Sequence, residues 1–109
     1  MFFRKRKLKR AFRNLDNLID YDMLKQMQKN NAIVIDVRSK QEFSENHIQG
    51  AINVPSYDFN STITNIVNDR NKNIVLYCKS GLRSMKCAKA LKKLGYKNVF
   101  ELQGGIDNI

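Results

Sequence analysis

The stretch IVLYCKSGLRS, Ile74 to Ser84, sets a thiol between an apolar run and a segment of helical periodicity. Ile74 to Tyr77 is short and does not alternate, which suits a strand buried on both faces of a parallel sheet. From Ser84 to Leu94, residues Cys87, Ala88, Leu91 and Leu94 share one helical face, lysines 86, 89, 92 and 93 fall mostly elsewhere, and Gly95 stands as a C′ cap. Only a tight loop fits between strand and helix. In open α/β sheets, ligands bind beyond the carboxyl ends of the strands, where Cys78 falls. Gly81 permits a backbone conformation that turns successive amides inward. Those amides and the positive end of the following helix make a cradle for an anion. The same field favours thiolate over thiol, and Lys79 and Arg83 add positive charge. The predicted group is an activated cysteine nucleophile, Cys78, inside an anion pocket. Cys87, on the apolar helix face, reads as a packing residue.

The flanking sequence repeats this alternation. Asp20 or Asp22 can cap a helix carrying Met23, Leu24 and Met27, ended by Asn30-Asn31. Ala32 to Val37 is a second β-branched strand. Ser39-Lys40-Gln41-Glu42 has the form of a capping box and starts a short helix through about Glu45. Ala51 to Val54 is a brief strand closed by Pro55. Ile63, Ile66 and Val67 form one apolar stripe of a helix between Tyr57 and Asp69, and Val99 to Leu102 is a last strand before Gly104-Gly105. Strands separated by helices imply parallel pairing through right-handed crossovers, so the class is α/β.

The chain has 109 residues, 42% of them hydrophobic, enough for one compact core. No apolar run reaches the length of a membrane span, and residues 1 to 12 lack the features of a secretory signal, so a cytoplasmic location is expected. The two cysteines suit a reducing compartment better than a disulfide scaffold. With one histidine and no CxxC spacing, neither a metal nor another cofactor is expected. The formal charge of +10 is concentrated at one end: residues 1–13 hold seven basic side chains and no acid, which leaves +3 for residues 14–109. The reading is a basic tail over 1–13 and one folded domain over 14–109. Such a tail reads first as a disordered solubilising extension; the alternatives are a contact with an anionic membrane surface, giving a membrane-peripheral protein, a contact with nucleic acid, or the juxtamembrane remainder of a longer relative.

Four linked motifs in order, Asp36-Val37-Arg38 with Glu42-Phe43, His47 to Pro55, Cys78 to Ser84, and Gly104-Gly105-Ile106, resemble the single-domain rhodaneses, a family of thiosulfate or persulfide sulfurtransferases. The resemblance implies a rhodanese-like fold, a central parallel sheet of about five strands with helices on both faces. It implies that Cys78 takes the outer sulfur of a small anionic donor, carries it as a persulfide, and passes it to a thiol, cyanide or a sulfur-relay protein. The loop Lys79, Ser80, Gly81, Leu82, Arg83 and Ser84 would then bind the donor, the amides of residues 79–83 holding the terminal sulfur. Ser84 is expected to end the loop as a cap or to take part in the chemistry. Asp36, Arg38 and Glu42 are supporting residues: Arg38 and Glu42 are spaced to pair with each other, and Asp36 to orient the cysteine loop through its amides. His47 is expected to pack and hydrogen-bond. The family often continues past the glycine pair with a tryptophan and a helix, where this chain has Ile109; modest stability or dimerisation is the corresponding expectation. Two other classes share the fold. Phosphatases and arsenate reductases need a wider cradle than the four residues between Cys78 and Arg83, and a binding module would keep the fold without turnover.

Overall fold

The computed structural model describes residues 17–109. Its elements are β1 (Leu18–Ile19), α1 (Tyr21–Lys29), β2 (Ile33–Asp36), α2 (Lys40–Glu45), β3 (Ile52–Asn53), a 3-10 turn (Ser56–Asp58), α3 (Phe59–Ile66), β4 (Asn73–Tyr77), α4 (Leu82–Lys93), β5 (Asn98–Leu102) and a second 3-10 turn (Ile106–Asn108). The five strands form one sheet in the order β1-β5-β4-β2-β3, every pair parallel. The expected α/β class and central parallel sheet are present.

β4 lies at the middle, and its alternation divides the core. Ile74 and Leu76 point to one side with Ile63 of α3 and Cys87, Ala88 and Leu91 of α4. Val75 and Tyr77 point to the other with Leu24 of α1 and Leu102 of β5. Helices therefore cover both faces, which is why the strands read as continuous apolar runs.

Local chemistry starts the helices where residue type predicts. Asp20 caps α1 by accepting from the Met23 amide at 2.8 Å. Ser39 and Glu42 complete both bonds of the capping box on α2, the Ser39 amide donating to Glu42 Oε1 at 3.0 Å and the Glu42 amide to Ser39 Oγ at 3.2 Å. Three expectations change. Ile66 is 36% exposed, and Phe59 instead joins Ile63 and Val67 as the buried face of α3. α4 begins at Leu82 with Gly81 as its N-cap, so Ser84 lies within the first turn and caps nothing. β1 was not foreseen: two residues carry no periodicity, and only pairing with Glu101 and Leu102 of β5 defines them as a strand.

Candidate active site

β4 ends beneath a loop that curls back over its own first residue. Cys78 is 1% exposed, and its Sγ accepts hydrogen bonds from the amides of Gly81 at 3.0 Å and Ser84 at 3.4 Å. Ser84 Oγ lies 3.7 Å from the sulfur. Gly81 makes this possible by its φ of +108°, for a Cβ there would meet nothing within 4 Å. Conformation, not space, demands the glycine. The inward amides are thus those of Gly81 and Ser84, the second belonging to the opening turn of α4, so that the helix's own unpaired donors face the sulfur.

The loop is also held from behind. The amides of Ile106 and Asp107 donate to the carbonyls of Cys78 and Lys79 at 2.9 and 3.1 Å, docking the last 3-10 turn against the cysteine loop. Gly105 allows this approach: with φ at +67°, a Cβ would sit 2.4 Å from the Lys79 carbonyl oxygen. The Gly104-Gly105 pair is therefore part of the site's support.

Both loop cations have partners. Arg83 makes a two-pronged contact with Glu42, Nη1 to Oε1 at 2.7 Å and Nη2 to Oε2 at 3.0 Å. This pair holds the Glu42 carboxyl down at about 2, the Arg83 hydrogen bonds being the main cause. Lys79 Nζ lies 3.4 Å from Asp107 Oδ1 in an exposed pair. Ser80, between Lys79 and Gly81, is exposed, and Leu82, 71% exposed, stands at the outer rim with Met85.

The supporting residues are paired differently from the sequence expectation. Arg38 does not meet Glu42. It is buried on Asp36, Nη2 to Oδ2 at 2.8 Å, and the same Nη2 also donates to the Asn46 carbonyl. Asp36 does not orient the cysteine loop; its Oδ1 accepts from the Arg38 amide at 2.8 Å and from Arg38 Nε at 3.1 Å. Proximity in sequence suggested a pairing of Arg38 with Glu42, but the fold brings Arg83 to Glu42 from 41 residues away. His47 packs as expected: its ring stacks on Phe43 with centroids 3.8 Å apart, and Nδ1 lies 2.8 Å from the Phe43 carbonyl.

Three participants were not singled out in the sequence. Tyr77, completely buried, accepts from the Ile48 amide at 3.0 Å beneath the Arg38 guanidinium. Asn53 donates to the carbonyls of Asp36 and Arg38, tying β3 to the loop after β2. Glu101, 7% exposed on β5, places Oε1 3.3 Å from Ser84 Oγ. A carboxylate inside the apolar run Val99-Phe100-Glu101-Leu102 was the available signal. Cys87, by contrast, is buried on the apolar side of α4, and desolvation pushes its thiol up to about 12.

A buried cysteine at the carboxyl edge of a parallel sheet, with helix-terminal amides directed at its sulfur, places the chain among cysteine-loop α/β proteins. The family model described as a rhodanese-like domain matches residues 20–109, and the chain belongs to that family. Among curated proteins it is 33% identical over 89 residues to a tRNA uridine(34) hydroxylase of Buchnera aphidicola and 34% identical over 98 residues to one of Yersinia enterocolitica. Those matches cover 78% and 85% of this chain but span only 28% of the length of each relative. Among solved structures, an Escherichia coli rhodanese with anions superimposes with a TM-score of 0.66 at 35% identity, covering 72% of this chain and 91% of the other. A human single-domain sulfurtransferase shares the fold, with a TM-score of 0.71 at 20% identity over 82% of this chain and 90% of the other.

Proposed function

We propose that the chain is a sulfurtransferase in which Cys78 carries a sulfane sulfur as a persulfide. The observation that carries this reading is the convergence of the Gly81 and Ser84 amides on Cys78 Sγ, 3.0 and 3.4 Å away. Donors so placed stabilise the Cys78 thiolate that starts the transfer and is restored at its end. With thiosulfate, the Cys78 thiolate attacks the outer sulfur and a new S–S bond forms. The bond between the two donor sulfurs breaks, its electron pair leaving on sulfite. A thiolate or cyanide then attacks the terminal sulfur of the persulfide and the Cys78 thiolate is restored. Lys79 and Arg83 flank the loop as cations, each balanced by a carboxylate, and Arg83, anchored on Glu42, keeps the first turn of α4 in place.

The four-residue interval between Cys78 and Arg83 supports sulfur rather than a tetrahedral oxyanion as the group accommodated. The likeness to the tRNA uridine(34) hydroxylases favours a second reading, in which the persulfide-forming loop belongs to a tRNA-modifying enzyme. Mass spectrometry of the full chain after incubation with thiosulfate, or with a low-molecular-weight persulfide, is expected to show one added sulfur on Cys78. Absence of the adduct with every sulfane donor would transfer the weight to a non-catalytic binding module, and turnover of an aryl phosphate or arsenate to the phosphatase or reductase class.

A further inference from the structure

Glu101, a carboxylic acid only 7% exposed on β5, has no task in the sulfur-transfer steps. Glu101 is directed from β5 toward α4 on the same face as Val99, and its Oε1 reaches Ser84 Oγ at 3.3 Å. The Ser84 oxygen in turn lies 3.7 Å from Cys78 Sγ. The two links hold sulfur and carboxyl oxygen within about 7 Å of each other, with a hydroxyl between them. Ser84 itself is completely buried and has a single proton to place, toward Glu101, toward the sulfur, or toward the Gly81 carbonyl at 3.1 Å.

We propose that Glu101 is a positioning residue that shares the ionisation of Cys78 through Ser84. In one arrangement the Ser84 proton points to an ionised Glu101, and the Cys78 thiol donates to the Ser84 oxygen. In the other, the thiol proton has moved onto Ser84, the former Ser84 proton has moved onto Glu101, and the hydroxyl now donates to a thiolate. Both arrangements contain the same protons; only the location of the negative charge differs. Burial favours a neutral Glu101 and raises its proton affinity, while the Ser84 hydrogen bond and the charge of Lys92 oppose that shift. Cys87 and Lys92 of α4 also bear on the pair, and Arg83 faces Cys78. The residues opposite Glu101 on the neighbouring strands, Leu18 of β1 and Leu76 of β4, are apolar.

The inference deepens the persulfide reading and rests on it for its use in catalysis, but its test needs no sulfur donor. Thiolate formation is followed by ultraviolet absorbance against pH in the full chain carrying Cys87→Ser, with and without Glu101→Gln. Gln mimics the protonated acid and cannot accept the proton. The parent is expected to ionise in two overlapping steps, and Glu101→Gln in a single step at lower pH, with roughly tenfold more thiolate between the two steps. Adding Ser84→Ala should shrink the effect of Glu101→Gln severalfold, which a purely structural role for Glu101 does not require. Superimposable single-step curves for folded parent and Glu101→Gln proteins would overturn the proposal. Should Glu101→Gln fail to fold, carboxyl carbon NMR of the parent decides: capping Cys78 with iodoacetamide is expected to displace the Glu101 titration, and an unchanged titration refutes the coupling. A coupled titration without any persulfide adduct leaves the ionisation device standing and removes the sulfurtransferase reading alone.

Discussion

At the scale of single residues, the two thiols are separated by their surroundings. Cys78 ends a strand and receives two amide donors, whereas Cys87 sits among apolar side chains that disfavour its anion. Cys78→Ser is therefore expected to lower thiosulfate sulfurtransferase turnover by a factor on the order of 10³ or more. Cys87→Ser should keep most of it, while losing about 1–2 kcal/mol of stability from burying a hydroxyl. Equal loss of turnover in both variants, both folded, would remove Cys78 as the single nucleophile. The distinction between the thiols was legible in the sequence, because position relative to strand, glycine and helix start differs for the two. The partners of Asp36, Arg38, Glu42 and Arg83 were not legible, since a guanidinium takes whichever carboxylate the fold delivers.

At the scale of elements, the cysteine loop depends on three starts and stops that meet at one sheet edge. β4 delivers Cys78, α4 supplies the Ser84 amide, and the turn Ile106–Asn108 clamps the loop's carbonyls. Gly105 stands where turn and loop touch. Gly105→Ala would place a methyl 2.4 Å from the Lys79 carbonyl oxygen in a backbone conformation with φ at +67°. We expect a stability loss of roughly 2–4 kcal/mol, read by denaturant unfolding, and a fall in turnover from the displaced loop. Loss of turnover with unchanged stability would show that the clamp shapes the loop without contributing to the fold. The capping box of α2 was readable from Ser39 and Glu42 alone, since both of its bonds are local; the second use of Glu42, as the anchor of Arg83, joins α2 to α4 and is tertiary.

At the scale of the whole molecule, that α2 to α4 link connects stability to pH. The Glu42 carboxyl lies at about 2, below its ordinary 4.5, so the charged form is favoured by folding. Its contribution is present above the ordinary value and disappears as pH falls toward 2. With both side chains partly exposed, about 1–2 kcal/mol is a reasonable size. Glu42→Gln is expected to lower stability by that amount near neutrality and to flatten the loss of stability between about pH 5 and pH 2. An acid limb of the same depth in the variant would assign acid sensitivity to other groups. No helix among the described residues is long and apolar enough to cross a membrane. The basic segment 1–13 lies outside those residues, and its contact with a membrane surface or a nucleic acid stands as a proposal, to be tested by binding across a range of salt.

By itself the sequence determined the α/β class, the strand-loop-helix that holds Cys78, the caps of α1 and α2 and the tail-weighted charge, because each is written in neighbouring residues. Hydrophobic period and capping act over a few positions, and the stretch from Ile74 to Ser84 contains its own strand end, glycine and helix start. Tertiary structure alone decided β1, the Arg83–Glu42 and Arg38–Asp36 pairings, the clamp from Gly105, and the approach of Glu101 to Ser84. Each of these except the Arg38–Asp36 pair joins groups far apart in the chain. Arg38 and Asp36 are near neighbours, yet their pairing follows from burial, which leaves neither charge another partner of equal strength.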